Sequence, residues 1–197
     1  MNDRFSPFLF SDETEPDATG SKENEEKPLQ RAFFGARTAQ TKDEWLTPPD
    51  LIRQLGEFDL DPCAPVNRPW ETAKRHYTIE DDGLSRPWAG RIWLNPPYGK
   101  ETFRWLDKLA DHGSGIALIF ARTDTKGFHK TVWAKAHAVF FFEGRLKFYH
   151  VTGKQAGTAN APSVLVSYSP ADTIAIMRAG LRGKLVIIAA NDNEPPK

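Results

Sequence analysis

Cysteine is almost missing: Cys63 is the only one in 197 residues. That excludes an internal disulfide framework and any four-cysteine zinc site. The five histidines (His76, His112, His129, His137, His150) show neither an H-E-x-x-H pattern nor Cys/His ligand spacing, so no metal site is expected. No apolar run approaches the roughly 20 residues that cross a bilayer, and mean hydropathy is −0.53, so an integral membrane protein is not expected. The opening MNDRFSPFLFSDETEPD has no charged-then-apolar leader with a small-residue cleavage site, so neither is secretion. Net charge is lacking too, with 26 Lys+Arg against 26 Asp+Glu. What remains reads as a soluble, intracellular chain, expected to form one ordinary domain at this length.

The zero net charge conceals an asymmetry. Residues 1–30 hold eight acids and three bases, whereas residues 31–197 hold 18 acids and 23 bases. Within the latter, residues 100–154 carry ten bases and five acids. A basic face of this size is compatible with a polyanionic partner, although charge alone fits a solvated surface equally well. Residues 11–30 are rich in Glu, Asp, Ser, Pro and Gly and nearly free of apolar side chains. The expected organisation is a disordered acidic tail over 1–38, one folded domain over 39–190 and a flexible tail over 191–197.

From about residue 40 two textures alternate. Thr47-Pro48-Pro49-Asp50 predicts a helix start, with Thr47 as N-cap, Pro48 in the first turn and Asp50 completing a capping box. Leu51, Ile52 and Leu55 form its apolar face, and Gly56 ends it. Phe58–Asp61 and Arg91–Leu94 read as short strands. A helix is expected over 100–111, with Phe103, Leu106 and Ala110 on its inner stripe. Ile116–Phe120 is a continuous apolar run, suited to a strand covered on both faces. Lys126–Ala136 reads as an amphipathic helix, Ala138–Phe142 and Val164–Tyr168 as strands, and Ala171–Ala179 as a last helix. Strands alternating with helices predict a largely parallel α/β sheet. Ligands of such sheets collect at the carboxyl ends of the strands. The stretches to inspect are therefore Asp61–Ala64, Asn95–Tyr98, Arg122–Asp124 and Gly144-Arg145.

Asn95-Pro96-Pro97-Tyr98 is the most informative of these, because it stands between a hydrophobic strand and a helix. An exocyclic amino group on a conjugated ring is a poor nucleophile, since its lone pair is delocalised. If the Asn95 side-chain oxygen and the Pro96 carbonyl both accept its hydrogens, the lone pair is aimed at an electrophile. The same acceptors stabilise the positive charge that develops on nitrogen. The two prolines hold the turn so that these oxygens need not reorganise. Tyr98 offers a ring for stacking on an extruded base. The plainer alternative is a rigid strand-to-helix turn with Tyr98 in the core. Pro62-Cys63 could be mistaken for the thiolate nucleophile of a cytosine carbon-5 methyltransferase, but those enzymes carry no Asn-Pro-Pro-Tyr. Arg122, Arg145 and Lys147 follow strand ends, where they could grip phosphates or serve only in surface ion pairs.

Asn-Pro-Pro-Tyr after a strand resembles the signature of S-adenosylmethionine-dependent amino-methyltransferases. A wider set stands in order: Glu44-Trp45-Leu46-Thr47-Pro48, Leu60-Asp61-Pro62-Cys63-Ala64, Tyr77 through Asp82-Gly83-Leu84, Trp88, Trp93 through Gly99, Ala121 through Thr125, Phe128-His129, Gly144 through Phe148 and Ala161-Pro162-Ser163. Over about residues 42–170 the chain is similar to the phage-type Dam-like DNA N-6-adenine methyltransferases. The resemblance implies a Rossmann-like methyltransferase fold of the α/β class with helices on both faces of a mostly parallel sheet. Only 34 positions separate Asp61 from Asn95, too few for two full βα units, so that sheet is expected to be abbreviated.

The resemblance further implies S-adenosyl-L-methionine as cofactor, adenine in double-stranded DNA as acceptor, and a cytoplasmic setting in a bacterial or phage-infected cell. By position, Asn95, Pro96, Pro97 and Tyr98 become the adenine-holding motif. Thr47 and Pro48 match the segment near the methionine end of the cofactor, and Asp61 and Ala64 its loop. Asp81 or Asp82 would approach the nucleoside half, with the choice between them open. The loop departs from the glycine-rich pattern of most Rossmann methyltransferases. Two other readings stay open: methyl transfer to a glutamine amide or an RNA purine, and an inactive DNA- or cofactor-binding module.

Overall fold

The structure, a computed structural model, describes residues 45–99 and 101–188. The expected acidic tail over 1–38 and the expected tail over 191–197 lie outside the described residues, as do both bounds of the expected 39–190 domain. Helix α1 (Pro49–Leu55) opens the described chain and buries Leu51, Ile52 and Leu55. Thr47 is not its cap: Pro48 holds that place, with φ −54° and ψ 130° and no side-chain capping bond. Prolines at 48 and 49 leave fewer free amides to cap, and Thr47 stands one residue too early to reach those that remain. Gly56 ends the helix at φ 89°, as the sequence predicts.

The strands are β1 (Leu60–Asp61), β2 (Arg75–His76), β3 (Ile92–Leu94), β4 (Gly115–Phe120), β5 (Ala138–Phe142), β6 (Lys147–Tyr149), β7 (Gln155–Thr158), β8 (Ser163–Ser167) and β9 (Gly183–Ile187). Between β1 and β3 there is no helix, so this end of the sheet is abbreviated as the short spacing predicts. Helix α2 (Thr102–His112) follows β3 and α4 (Pro170–Arg178) follows β8. The stretch expected to be one helix over 126–136 is instead a single turn, α3 (Lys126–Phe128), continued by a π-helical turn over His129–Trp133. In α2 the fully buried stripe is Thr102, Trp105, Leu106 and Leu109; Phe103 and Ala110 are only partly buried.

Seven strands form one mixed sheet in the order β2-β1-β3-β4-β8-β5-β9. The pairs β1–β2, β1–β3 and β3–β4 are parallel, whereas β4–β8, β5–β8 and β5–β9 are antiparallel. This corrects the expectation of a mostly parallel sheet. A parallel return requires a crossover, usually a helix, but only the hairpin β6–β7 lies between β5 and β8. β8 therefore comes back antiparallel and slots between β4 and β5. Strands β1 to β5 still share one direction, so their carboxyl ends, with the amino end of β8, line a single edge.

Alternation along the strands feeds two cores. Ile92, Leu94, Ala117 and Ile119 face α2 and the π-helical turn, in a cluster with Leu106, Leu109, Phe128 and Val132. Trp93, Ile116, Leu118 and Leu165 face α1 and α4, clustered with Leu51, Leu55 and Ile176. Helices thus cover both faces. At the far end from the carboxyl edge, buried Asp172 accepts from Arg91 Nε and from the Gly115 amide, both at 2.7 Å. Those bonds tie α4 to the amino ends of β3 and β4.

Candidate active site

The site is built from chain that immediately follows β3. Asn95 is held by a contact 50 residues away in sequence: its Nδ2 donates to the Trp45 carbonyl at 2.8 Å. A carbonyl can only accept, so the amide nitrogen must face Trp45 and Oδ1 must point the other way. That Oδ1 is buried and has no partner among the described residues. No described residue donates to the Pro96 carbonyl either. The turn is pinned on its other side by Thr102 Oγ1, the first residue of α2, donating to the Pro97 carbonyl at 2.7 Å. Two acceptors are thus held with their lone pairs free.

Tyr98 lies with its ring parallel to that of Phe120, the last residue of β4, at 4.0 Å between centroids and 7° between planes. Burial pushes its hydroxyl well above the ordinary tyrosine range, so it stays neutral, and its oxygen has no partner among the described residues.

The loop after β1 is braced from within. Buried Asp61 accepts from the Cys63 amide at 3.1 Å and from Thr72 Oγ1 at 2.5 Å. Burial, only partly offset by those bonds, raises its carboxyl to about 6. The Ala64 amide donates to the Tyr77 carbonyl at 2.9 Å. The groups of Asp61 and Ala64 expected at the cofactor are therefore engaged in shaping the loop. None of residues 61–65 adopts a positive φ, which is why this turn needs no glycine. Cys63 Sγ donates to the Asn95 carbonyl at 3.3 Å, linking the loop to the Asn95–Tyr98 turn. Burial and then the nearby Asp61 push its thiol up, the opposite of what a thiolate nucleophile requires.

Of the two acids left open, Asp81 is occupied: its carboxylate accepts from the Thr78 amide at 2.8 Å and the Thr78 hydroxyl at 3.1 Å, which lower its pKa. Asp82 is exposed, in the left-handed region at φ 52°. Its turn is anchored by Lys108 of α2, whose Nζ donates to the carbonyls of Leu84 and Arg86, each at 2.6 Å, and sits 4.8 Å over the Trp88 ring. Thr47 is buried, and its Oγ1 has no partner among the described residues; Pro48 next to it is partly buried.

Arg122 follows β4, Arg145 follows β5 and Lys147 begins β6; all three are exposed, and none forms an ion pair among the described residues. Residues 144–160, which hold the β6–β7 hairpin, include Arg145, Lys147 and Lys154 but no Asp or Glu. The hairpin joins the site through a bridge between Leu46 and Tyr149, beside the Trp45 carbonyl that holds Asn95. Among the described residues no cluster of three His, Cys, Asp or Glu is placed to hold a metal ion, and no helix is long and apolar enough to cross a membrane.

Several residues of the site were beyond sequence reasoning. Thr102 and Lys108 lie on a helix read only for its apolar stripe, and Thr72 sits in a segment without periodicity. Phe120 read simply as the end of a buried strand, and Ser163 as one member of an ordered set.

The chain is thus a mixed α/β sheet with helices on both faces, carrying Asn-Pro-Pro-Tyr at its carboxyl edge. The model of the DNA N-6-adenine-methyltransferase (Dam) family matches residues 36–186, and the chain belongs to that family. Neither curated proteins nor solved structures gave a match.

Proposed function

We propose that this protein transfers a methyl group from S-adenosyl-L-methionine to the exocyclic N-6 amine of adenine in double-stranded DNA. The observation that carries the reading is Asn95 Oδ1, turned away from Trp45, buried and without a partner among the described residues, in a chain matched by the adenine-methyltransferase family over residues 36–186.

The residues at the crevice fit the cofactor. Thr47 offers a buried hydroxyl with no partner among the described residues, suited to its methionine end alongside Pro48. Asp82, rather than Asp81, offers a free carboxylate to the ribose hydroxyls. Asp61 and Ala64 shape the wall between them. When bound, S-adenosylmethionine supplies a methyl group activated as an electrophile by its sulfonium. Asn95 and Pro96 take the two amine hydrogens, direct the nitrogen lone pair and stabilise the charge it acquires. Tyr98 stacks on the face of the extruded base. The proton released after transfer passes to water, so no strong base is required.

Arg122, Arg145 and Lys147 form the DNA track on the rim of the same edge. Phosphate contacts release counterions, so affinity falls linearly on a log–log plot against salt. Arg145→Ala or Lys147→Ala is expected to weaken binding alike for all sequences and to reduce the slope by about one per lost contact. Tyr98→Ala is expected to leave the slope unchanged and impair base capture. Identical slopes for the wild type and both basic variants on one duplex would place DNA on another face.

A further inference from the structure

Six buried side-chain polar atoms lack a partner among the described residues, and four of them belong to Thr47, Asn95, Tyr98 and Ser163, at the carboxyl edge. Thr47, Asn95 and Tyr98 have roles in the proposed methyl transfer. Ser163 has none, and a role for it rests on that same reaction. It is 2 % exposed and begins β8, directly opposite Phe120 in the β4–β8 pairing. Opposed residues of an antiparallel pair project from the same face with Cβ atoms about 5 Å apart. Its side chain therefore projects from the same face of the sheet as that of Phe120, on whose ring Tyr98 lies. The position is rigid: the Ala121 amide donates to the Pro162 carbonyl at 2.8 Å, closing the ladder at this end. An unpaired buried hydroxyl lowers stability, and alanine would fill nearly the same space without that loss.

We propose that Ser163 is a specificity-determining residue whose hydroxyl donates a hydrogen bond to a ring nitrogen flanking the reacting amine of the target base. Asn95 Oδ1 and the Pro96 carbonyl satisfy the amine hydrogens, but the flanking ring nitrogens are acceptors and require a donor. Asn95 Nδ2 is engaged by Trp45, and proline has no N–H. A tyrosine whose ring stacks on the base cannot also bring its in-plane hydroxyl to the edge of that base. Thr47 belongs to the cofactor side. Of the four unpartnered buried groups at this edge, Ser163 is the donor that remains.

The test compares wild type and Ser163→Ala on three duplexes, in which the target position carries adenine, 1-deazaadenine or 7-deazaadenine. On adenine the variant is expected to lose about 10- to 100-fold in kcat/KM. On the analogue that lacks the bonded nitrogen, the two proteins should be equally active, while the other analogue keeps the full difference. Each protein's rate on one duplex relative to another is independent of its folded fraction, so a stability change cannot imitate this pattern. Altered ease of base extrusion affects both proteins alike and cancels. Equal activity of the two proteins on adenine, or an undiminished difference on both analogues, would overturn the assignment. A wild type that methylates no adenine duplex would instead overturn the underlying reading.

Discussion

Asn95→Ala is expected to lower methyl transfer by about two to three orders of magnitude, the loss typical when one preorganised hydrogen-bonding group is removed from a site of developing charge. On the proposed reading the side chain has two tasks. Nδ2 holds the turn to the Trp45 carbonyl at 2.8 Å, while Oδ1 is free for the amine. Because the turn is also held by Thr102 at the Pro97 carbonyl and by Cys63 at the Asn95 carbonyl, the backbone should survive the substitution. Binding of S-adenosylhomocysteine should accordingly be almost unchanged. Asn95→Asp offers a finer comparison: a carboxylate would face the Trp45 carbonyl with no proton to donate, so the turn as well as the chemistry should suffer. Turnover of Asn95→Ala within a few-fold of wild type would reduce Asn95 to a structural turn residue.

Gly83→Ala is expected to damage fold and cofactor site together. A Cβ at this position would lie 1.9 Å from the Pro62 carbonyl oxygen and 3.3 Å from the Trp105 ring. The first of these neighbours is backbone and the second is a buried side chain of α2. No flexible side chain can yield, so the turn carrying Asp82 must withdraw from the Asp61–Ala64 loop. Overpacking of this kind costs about 3 kcal/mol, and in a domain of this size that lowers the thermal midpoint by roughly 10 °C. Affinity for S-adenosylhomocysteine should fall in parallel, because the two walls of the crevice separate. Gly157→Ala is the control: nothing lies within 4 Å of the added carbon, and neither quantity should move. A Gly83→Ala protein with wild-type midpoint and affinity would show that the two loops do not form one crevice.

The elements legible in the sequence are those whose signal is local. β4, β5 and β8 are apolar runs, α1 is bracketed by Pro49 and Gly56, and Asn95–Tyr98 stands out wherever it is placed. β1 falls within the strand read over Phe58–Asp61, whereas β2 has only two residues, too short for any periodicity. β7 contains Gly157, carries no apolar alternation and exposes three of its four residues, so only its pairing with β6 marks it as a strand. The direction of β8 depends on what connects it to β5 and not on its own Ser-Val-Leu-Val-Ser. The Thr47 cap failed for a local reason: two prolines displaced the helix start by one residue.

At the site the difference is sharper. Residue types suggested the chemistry now proposed, but the orientation of Asn95 depends on a carbonyl 50 residues upstream, and the turn carrying Asp82 on a lysine 24 residues downstream of Leu84. The choice between Asp81 and Asp82 turns on whether Thr78 has already engaged one carboxylate. Such hydrogen bonds join positions whose spacing follows no period, so no pattern in the chain encodes them.

The most direct measurement is label transfer from methyl-tritiated S-adenosylmethionine to duplex DNA, RNA and protein acceptors in parallel, followed by nucleoside and amino-acid digestion. The account predicts label in DNA alone, recovered as N-6-methyladenine and reduced by about two to three orders of magnitude in Asn95→Ala. Label in RNA purines or in protein glutamine, or no transfer to any acceptor by a protein that binds the cofactor, would contradict it.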